Sequence, residues 1–246
     1  MTARVELAIR ALHSLDEMRR LLDVAGEVWG IAPGGLVGPD FLMALAHGQG
    51  YVVGGFDPAG RMIGVSFGFL ARHRGDEVLH SHITGVVSDH QNSGIGTAMK
   101  QHQRRWAIDM GLAAITWTFD PLVRRNAWFN IQRLGAVAVE YHPDFYGPLG
   151  DAINGDDDSD RLLARWDVCG PRAVDAEENG LPEPTGVGAI VVPTPSDIVE
   201  LRRTDPDEAR RWRRDLRDIL LPHLTDHVAT GVTAHGSYVL TPVSSQ

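Results

Sequence analysis

Gln91-Asn92-Ser93-Gly94-Ile95-Gly96-Thr97-Ala98-Met99-Lys100 decides how this chain is read. The ten residues follow an extended run, Leu79 to Val87, and open a segment with helical spacing of Ile95, Ala98, Met99, His102, Trp106 and Met110. A Gly-rich turn between strand and helix leaves the first helical N–H groups without intrahelical partners. With the positive end of the helix dipole they form an anion site. Gly94 and Gly96 matter because a Cβ at either position would obstruct close approach of a phosphate to the backbone. The turn is therefore expected to hold a phosphorylated ligand.

Spacing separates the ligand classes that use such turns. A nucleoside-triphosphate loop needs Gly-x-x-x-x-Gly-Lys-Ser/Thr, and here Lys100 follows Met99, so that Lys and its hydroxyl neighbour are missing. The dinucleotide fingerprint needs a third Gly or Ala where this chain has Met99. What remains is Gln-x-x-Gly-x-Gly. In this motif the chain resembles the GNAT superfamily of acyl-CoA-dependent N-acyltransferases, whose pyrophosphate turn has this form.

The rest of the N-terminal half follows the order that the resemblance implies. Val5 to Ile9 reads as a strand, Asp16 to Trp29 as a helix with Ser14 or Asp16 as N-cap, and Asp40 to Ala46 as a second helix. Tyr51 to Phe56 and Met62 to Leu70 flank the turn Asp57-Pro58-Ala59-Gly60, a hairpin signal. In the second strand Ile63, Val65, Phe67 and Phe69 alternate with Gly64, Ser66 and Gly68, the period of a half-buried strand. Ala113 to Phe119 is a strand, Asn126 to Leu134 a helix stopped by Gly135, and Val137 to Tyr141 a strand. The order β-α-α-β-β-β-α-β-α-β is the GNAT order. The expected fold class is α/β (α+β), with a mixed, mostly antiparallel central sheet splayed at the acyl-CoA site. The domain reading is a core over 1–150 and a C-terminal extension over 151–246 packed on it.

Within that extension, 155–160 (Gly-Asp-Asp-Asp-Ser-Asp) reads as a solvated acidic turn, since it lacks the calcium-loop spacing. Arg161 to Val168 and Ala189 to Val192 read as strands and Glu177 to Pro184 as a loop. Asp205 to Leu221 is an amphipathic helix. Its arginines (Arg202, Arg203, Arg210, Arg211, Arg213, Arg214 and Arg217) interleave with acidic residues, the pattern of a solvated, salt-bridged face.

Bulk properties bound the function. A net charge of −9 argues against a nucleic-acid partner. Cys169 is the only cysteine, so neither an intrachain disulfide nor a cysteine-based zinc site is expected, and no metal is assigned. No apolar run reaches the length of a membrane span or a signal core, so a cytoplasmic protein without a membrane partner is expected.

The GNAT resemblance also implies site residues. The cofactor, acetyl-CoA or another acyl-CoA, would meet Gln91, Asn92, Ser93, Gly94, Ile95, Gly96 and Thr97 through its pyrophosphate. Free N–H groups at Gly85-Val86-Val87, facing Thr116-Trp117-Thr118, would serve the thioester and pantetheine arm. Histone-type members carry a Glu general base eleven positions before the turn's Gln. Here that position is His80, and an imidazole with a pKa of about 6.5 suits a base at neutral pH. With a period of two, His80, His82, Thr84 and Val86 share a face, so His82 is the second base candidate. Asn126 matches the family's Asn, expected to contact the cofactor arm or to cap its helix. The family's Tyr general acid is replaced by Ile131, which leaves Tyr141 and Tyr146 as acid candidates.

A narrower resemblance spans most of the chain. The stretches Thr116 to Leu122, Arg125-Asn126-Ala127, Leu134-Gly135-Ala136, Asp144 to Gly147, Ser159 to Leu162 and Trp212-Arg213 are similar to a bacterial GNAT branch of predicted acyltransferases. Some of that branch resemble proteins encoded beside N-acylamino-acid racemases. The function implied is transfer of an acetyl or succinyl group to a small-molecule primary amine, an amino acid being one option, by direct attack in a ternary complex. Two alternatives stay open: a CoA-binding or sensory protein with weak catalysis, and a protein lysine acetyltransferase. The acceptor and the oligomeric state, a homodimer among the options, are not fixed by the residues.

Overall fold

The computed structural model describes residues 6–30, 35–147, 157–185 and 188–243. The chain divides into two compact units, Met1–Ile115 and Thr116–Gln246.

The first unit is an antiparallel meander flanked by three helices. Strands β1 (Ala8–Ala11), β2 (Tyr51–Phe56), β3 (Met62–His73) and β4 (Asp76–Val86) pair in chain order. Helices α1 (Leu15–Trp29) and α2 (Pro39–His47) precede β2, and α3 (Ile95–Asp109) follows β4. Ser14 is the N-cap of α1 and forms a reciprocal capping box with Glu17. That arrangement satisfies two helix-end donors and holds the Glu17 carboxyl down to about 2, chiefly through the His13 amide and Arg10. The strand expected over Val5 to Ile9 lies slightly later, and Val5 is outside the described residues. β3 and β4 also run further toward each other than the sequence pattern shows, because the exposed polar stretch Arg72 to Glu77 carries no alternation.

Alternation in β3 sorts the residues as expected. Val65 and Phe67 join Met18, Leu21 and Leu42 in a core under α1 and α2. Gly64 and Ser66 face α3: a Cβ on Gly64 would sit 3.4 Å from Met99 Sδ, and one on Gly55 3.0 Å from it. Here the strands, and not the helix, provide the glycines that let α3 lie close to the sheet. That is why a bulky Met99 is tolerated in the first turns of α3.

The second unit holds β5 (Ala114–Phe119, starting two residues before the boundary), α4 (Arg124–Ala127), β6 (Val137–His142), β7 (Arg161–Asp167) and α5 (Pro171–Glu178). These are followed by β8 (Ile190–Val192), α6 (Ile198–Thr204), α7 (Pro206–His223), β9 (His227–Val232) and β10 (Tyr238–Pro242). The strand order is β5-β7-β6-β9-β10-β8. The element order through β6 is the one read from the sequence.

Four expectations in this unit are corrected. The helix expected over Asn126 to Leu134 is a short α-helix that continues as a π-helical segment, Trp128–Arg133. The Glu177 to Pro184 loop begins inside α5, and β9 and β10 were not read at all. The acidic turn is not simply solvated: residues 155 and 156 lie outside the described residues, but Asp157 and Asp160 are buried. Their partners come from the arginine-rich helices, whose face is likewise not all solvent-exposed. Arg213 is 1% exposed and, with Arg202, binds both Asp120 and Asp157 at 2.6–3.0 Å. Burial alone would raise the Asp120 carboxyl, but Arg213 and Arg202 hold it far below the usual carboxylate range. Arg203, Arg210 and Arg211 do keep exposed i,i+3 pairs.

Candidate functional site

The turn after β4 has the geometry of an anion cradle. Gln91 Nε2 reaches back to the Val86 carbonyl at 3.3 Å, and Ser93 Oγ donates to the His90 carbonyl at 2.5 Å. These two bonds pin both ends of the turn. Asn92 (φ 60°) and Gly94 (φ 87°) adopt left-handed backbone conformations. A Cβ on Gly94 would meet no protein atom within 4 Å, so the backbone angle and not packing demands glycine there. Gly94 is the N-cap of α3 and makes no side-chain capping bond, and the first helical turn carries no acidic residue. The first intrahelical bond is donated by Ala98 to the Gly94 carbonyl. Among the described residues the amides of Ile95, Gly96 and Thr97 have no protein acceptor. Three converging amides at a positive helix end fit a pyrophosphate.

At the strand end the geometry departs from expectation in one respect. Val86 closes β4 opposite Gly64, but the Val87 amide, expected to be free, donates to the Ile63 carbonyl at 3.1 Å.

β4 is bulged where the base candidates lie. Phe67 pairs with Ile83 while Gly68 pairs with Ser81, so His82 is an extra residue. Strict alternation would have put His80, His82 and Thr84 on one face. Instead His80 and His82 stack near Phe69, with ring centroids 5.1 and 6.3 Å away, and His82 also lies 5.3 Å from Phe67. Thr84 turns to the α3 face, where its hydroxyl meets Ser66 Oγ at 2.8 Å. The two imidazoles therefore stay together, but Thr84 is not with them. Burial, the neighbouring His82 and Lys100 pull His80 down to about 4, and burial pulls His82 below its usual value. Both shifts favour the neutral ring, the form that can accept a proton.

Lys100 is the residue that sequence spacing missed. It is 4% exposed; Nζ donates to Ser81 Oγ at 3.1 Å and to Gln103 Oε1 at 2.9 Å. Gln103 donates to Ser66 Oγ, which donates to the Ile83 carbonyl. The cluster thus holds β4 on both sides of the bulge. Burial lowers the Lys100 ammonium to about 7. Only its helical position, on the face of Met99 and Gln103, could have signalled this.

In the second unit Asn126 is exposed, and its amide donates to the Val123 carbonyl at 2.9 Å. The N-cap of α4 is Val123, so Asn126 does not cap that helix. Ile131 is fully buried. Tyr141 is buried, with its hydroxyl donated to Asp160 Oδ2 at 2.5 Å, and burial and that carboxylate push the phenol well above its usual range. Tyr146 is 41% exposed, and its hydroxyl lies 3.0 Å from Thr118 Oγ1.

Among the described residues no cluster of three metal-ligating side chains occurs, and no helix is long and apolar enough to cross a membrane.

Comparison with solved structures identifies the fold. The chain is similar to an acetyltransferase of the GNAT family from Streptococcus pneumoniae, at 15% identity and a TM-score of 0.50, covering 65% of this chain and 98% of that one. It is similar to NAA60 of Arabidopsis thaliana in complex with a bisubstrate analogue, at 13% identity and a TM-score of 0.53, covering 66% and 98%. It is also similar to a chain of the NatC complex bound to Gag peptide and CoA, at 11% identity and a TM-score of 0.52, covering 66% and 98%. The fold is the GNAT fold. No family model and no curated protein matches the sequence.

Proposed function

We propose that this chain is an acyl-CoA-dependent N-acyltransferase that moves an acetyl or succinyl group to the primary amine of a small molecule. The observation that carries this is the set of Ile95, Gly96 and Thr97 amides without protein acceptors, behind a left-handed Gly94, on a GNAT fold. The Asn92 to Thr97 backbone holds the pyrophosphate; the thioester brings an activated acyl carbon.

His80 or His82 takes a proton from the acceptor ammonium, directly or through one water, and the neutral amine then attacks the thioester carbon, so that the C–N bond forms and the C–S bond breaks. Backbone amides of β4 stabilise the charge on the thioester oxygen. Of the two acid candidates Tyr146 is the exposed one, whereas Tyr141 is buried and gives its hydroxyl to Asp160. A thiolate with a pKa of about 8.5 also leaves without an acid.

A second reading has support from one observation: the family's acid position is the fully buried Ile131. On that reading the chain binds CoA and catalyses weakly. Thiol release with acetyl- and succinyl-CoA over an amine panel separates the two. Turnover is expected with at least one acyl-CoA and amine pair; CoA binding without thiol release leaves the sensory function, and no CoA binding removes both.

A further inference from the structure

His82 is the extra residue of the β4 bulge, and that residue decides which face of the sheet the two imidazoles occupy. Opposed residues of paired strands share a face. Were the Phe67–Ile83 pairing continued without the extra residue, His82 would oppose Gly68 and His80 would oppose Leu70. Both rings would then turn to the α3 side with Ser66. In the observed register Ser81 opposes Gly68 and His80 opposes Phe69, so both rings lie beside Phe69 instead.

Two residues outside β4 select that register, and Gly68 is one of them. A Cβ there would sit 2.5 Å from the His80 carbonyl oxygen and 3.0 Å from Ser81 Cα. Both are backbone atoms that cannot rotate aside, so only glycine admits the bulged strand this close. Lys100 is the other. Its Nζ donates to Ser81 Oγ at 3.1 Å, just before the bulge, and to Gln103 Oε1 at 2.9 Å. Gln103 Nε2 donates to Ser66 Oγ at 3.3 Å, and Ser66 Oγ donates to the Ile83 carbonyl at 2.9 Å, just after the bulge. Ser66, Ser81, Lys100 and Gln103 are each at most 4% exposed. A buried ammonium is costly, and an apolar side chain of similar size is often no less stable in such a place. What the ammonium adds is direction: a slipped strand would carry the Ser81 hydroxyl to the Phe69 side, away from Nζ.

We propose that Gly68 and Lys100 are positioning residues for acyl transfer, fixing the bulged register that holds His80 and His82 together on the Phe69 face, where the acceptor amine loses its proton. This rests on the acyltransferase function proposed above. Neither residue handles a proton in the reaction, so their loss appears in kcat and not in CoA affinity.

The test uses the full chain with acetyl-CoA or succinyl-CoA and the amine of highest turnover in the panel. Gly68→Ala, Ser81→Ala and Lys100→Met should lower kcat by up to about a hundredfold, the scale set by a misplacement of ~1 Å. Acetyl-CoA affinity in calorimetry should stay as in the wild type, with the thermal midpoint showing that each variant is folded. Ser81→Ala combined with Lys100→Met should be no slower than the slower single variant, because the ammonium acts through that hydroxyl. In Gly68→Ala and Ser81→Ala, which change no charge, the deficit should shrink as the pH passes the pKa of the acceptor ammonium, since a neutral amine needs no base. NMR on ring-labelled His and Phe gives a readout apart from turnover. Contacts of His80 and His82 with Phe69 are expected in the wild type and should weaken in Gly68→Ala and Lys100→Met. A kcat that falls with those contacts intact, or together with an equal loss of CoA affinity, overturns the proposal. Wild type that turns over no amine removes the acyltransferase function and this proposal with it. Turnover that survives both Gly68→Ala and Lys100→Met removes this one alone.

Discussion

Lys100 Nζ lies 3.1 Å from the hydroxyl of Ser81, beneath the strand position flanked by His80 and His82. A buried ammonium is thus the support on which the bulge of β4 rests, and burial brings its pKa down to about 7. The unfolded chain holds that proton up to about 10.4. Between these values the unfolded state binds more protons, so stability rises with pH, by up to about 1.4 kcal/mol per pH unit from this group alone. Urea midpoints measured from pH 7 to 10 should climb in the wild type and flatten in Lys100→Met. Parallel slopes in the two proteins would mean that Lys100 is not desolvated as the structure shows.

The turn should hold CoA by its backbone. Gly94→Asp places a carboxylate and a left-handed strain at the cradle, and Gly96→Asp adds a like charge within the first turn of α3. Both should abolish acetyl-CoA binding in calorimetry, with the thermal midpoint showing that each variant is folded; at Gly94 a Cβ meets no protein atom within 4 Å, so the cost there is backbone strain alone. Unchanged affinity would remove the turn as the pyrophosphate site.

The two sides of the arginine-rich helix should respond unequally. Arg213→Met leaves Asp120 and Asp157 short of a cation in a buried layer, a loss of about 3–5 kcal/mol in denaturant unfolding. Arg210→Ala breaks only an exposed pair with Asp207 and should leave the midpoint unchanged. Similar midpoints for the two variants would contradict the burial of Arg213.

That contrast shows where the sequence stops being legible. Interleaved charges in α7 look alike whether they meet water or the buried Asp157 and Asp120, because the partners lie 56 and 93 residues away. The strand-turn-helix at Gln91 to Lys100, by contrast, is local: glycine spacing, strand alternation and helical period all lie within one stretch of chain. The order of elements through β6 was readable for the same reason. The bulge at His82 was not, since one extra residue leaves no mark on a strand that already mixes polar and apolar positions. It reversed the face of Thr84 but kept the two imidazoles together.

His80 or His82 should be the general base, and the pH profile can decide it. Burial, then His82 and Lys100, lower His80 to about 4, and burial lowers His82 as well. Each ring therefore protonates only below the usual imidazole value of about 6.5, so kcat/KM should rise with pH through a limb below that value. A second limb on the alkaline side belongs to the acceptor ammonium. Lys100→Met removes a positive neighbour of His80, so the acid limb should move upward if His80 is the base and hold its place if His82 is. Replacing the base by Ala should lower the rate by about 10²–10⁴-fold with acetyl-CoA affinity intact. Should His80→Ala, His82→Ala and the double variant all turn over within a few-fold of wild type, neither histidine takes the proton. Catalysis would then depend on positioning an amine that arrives neutral.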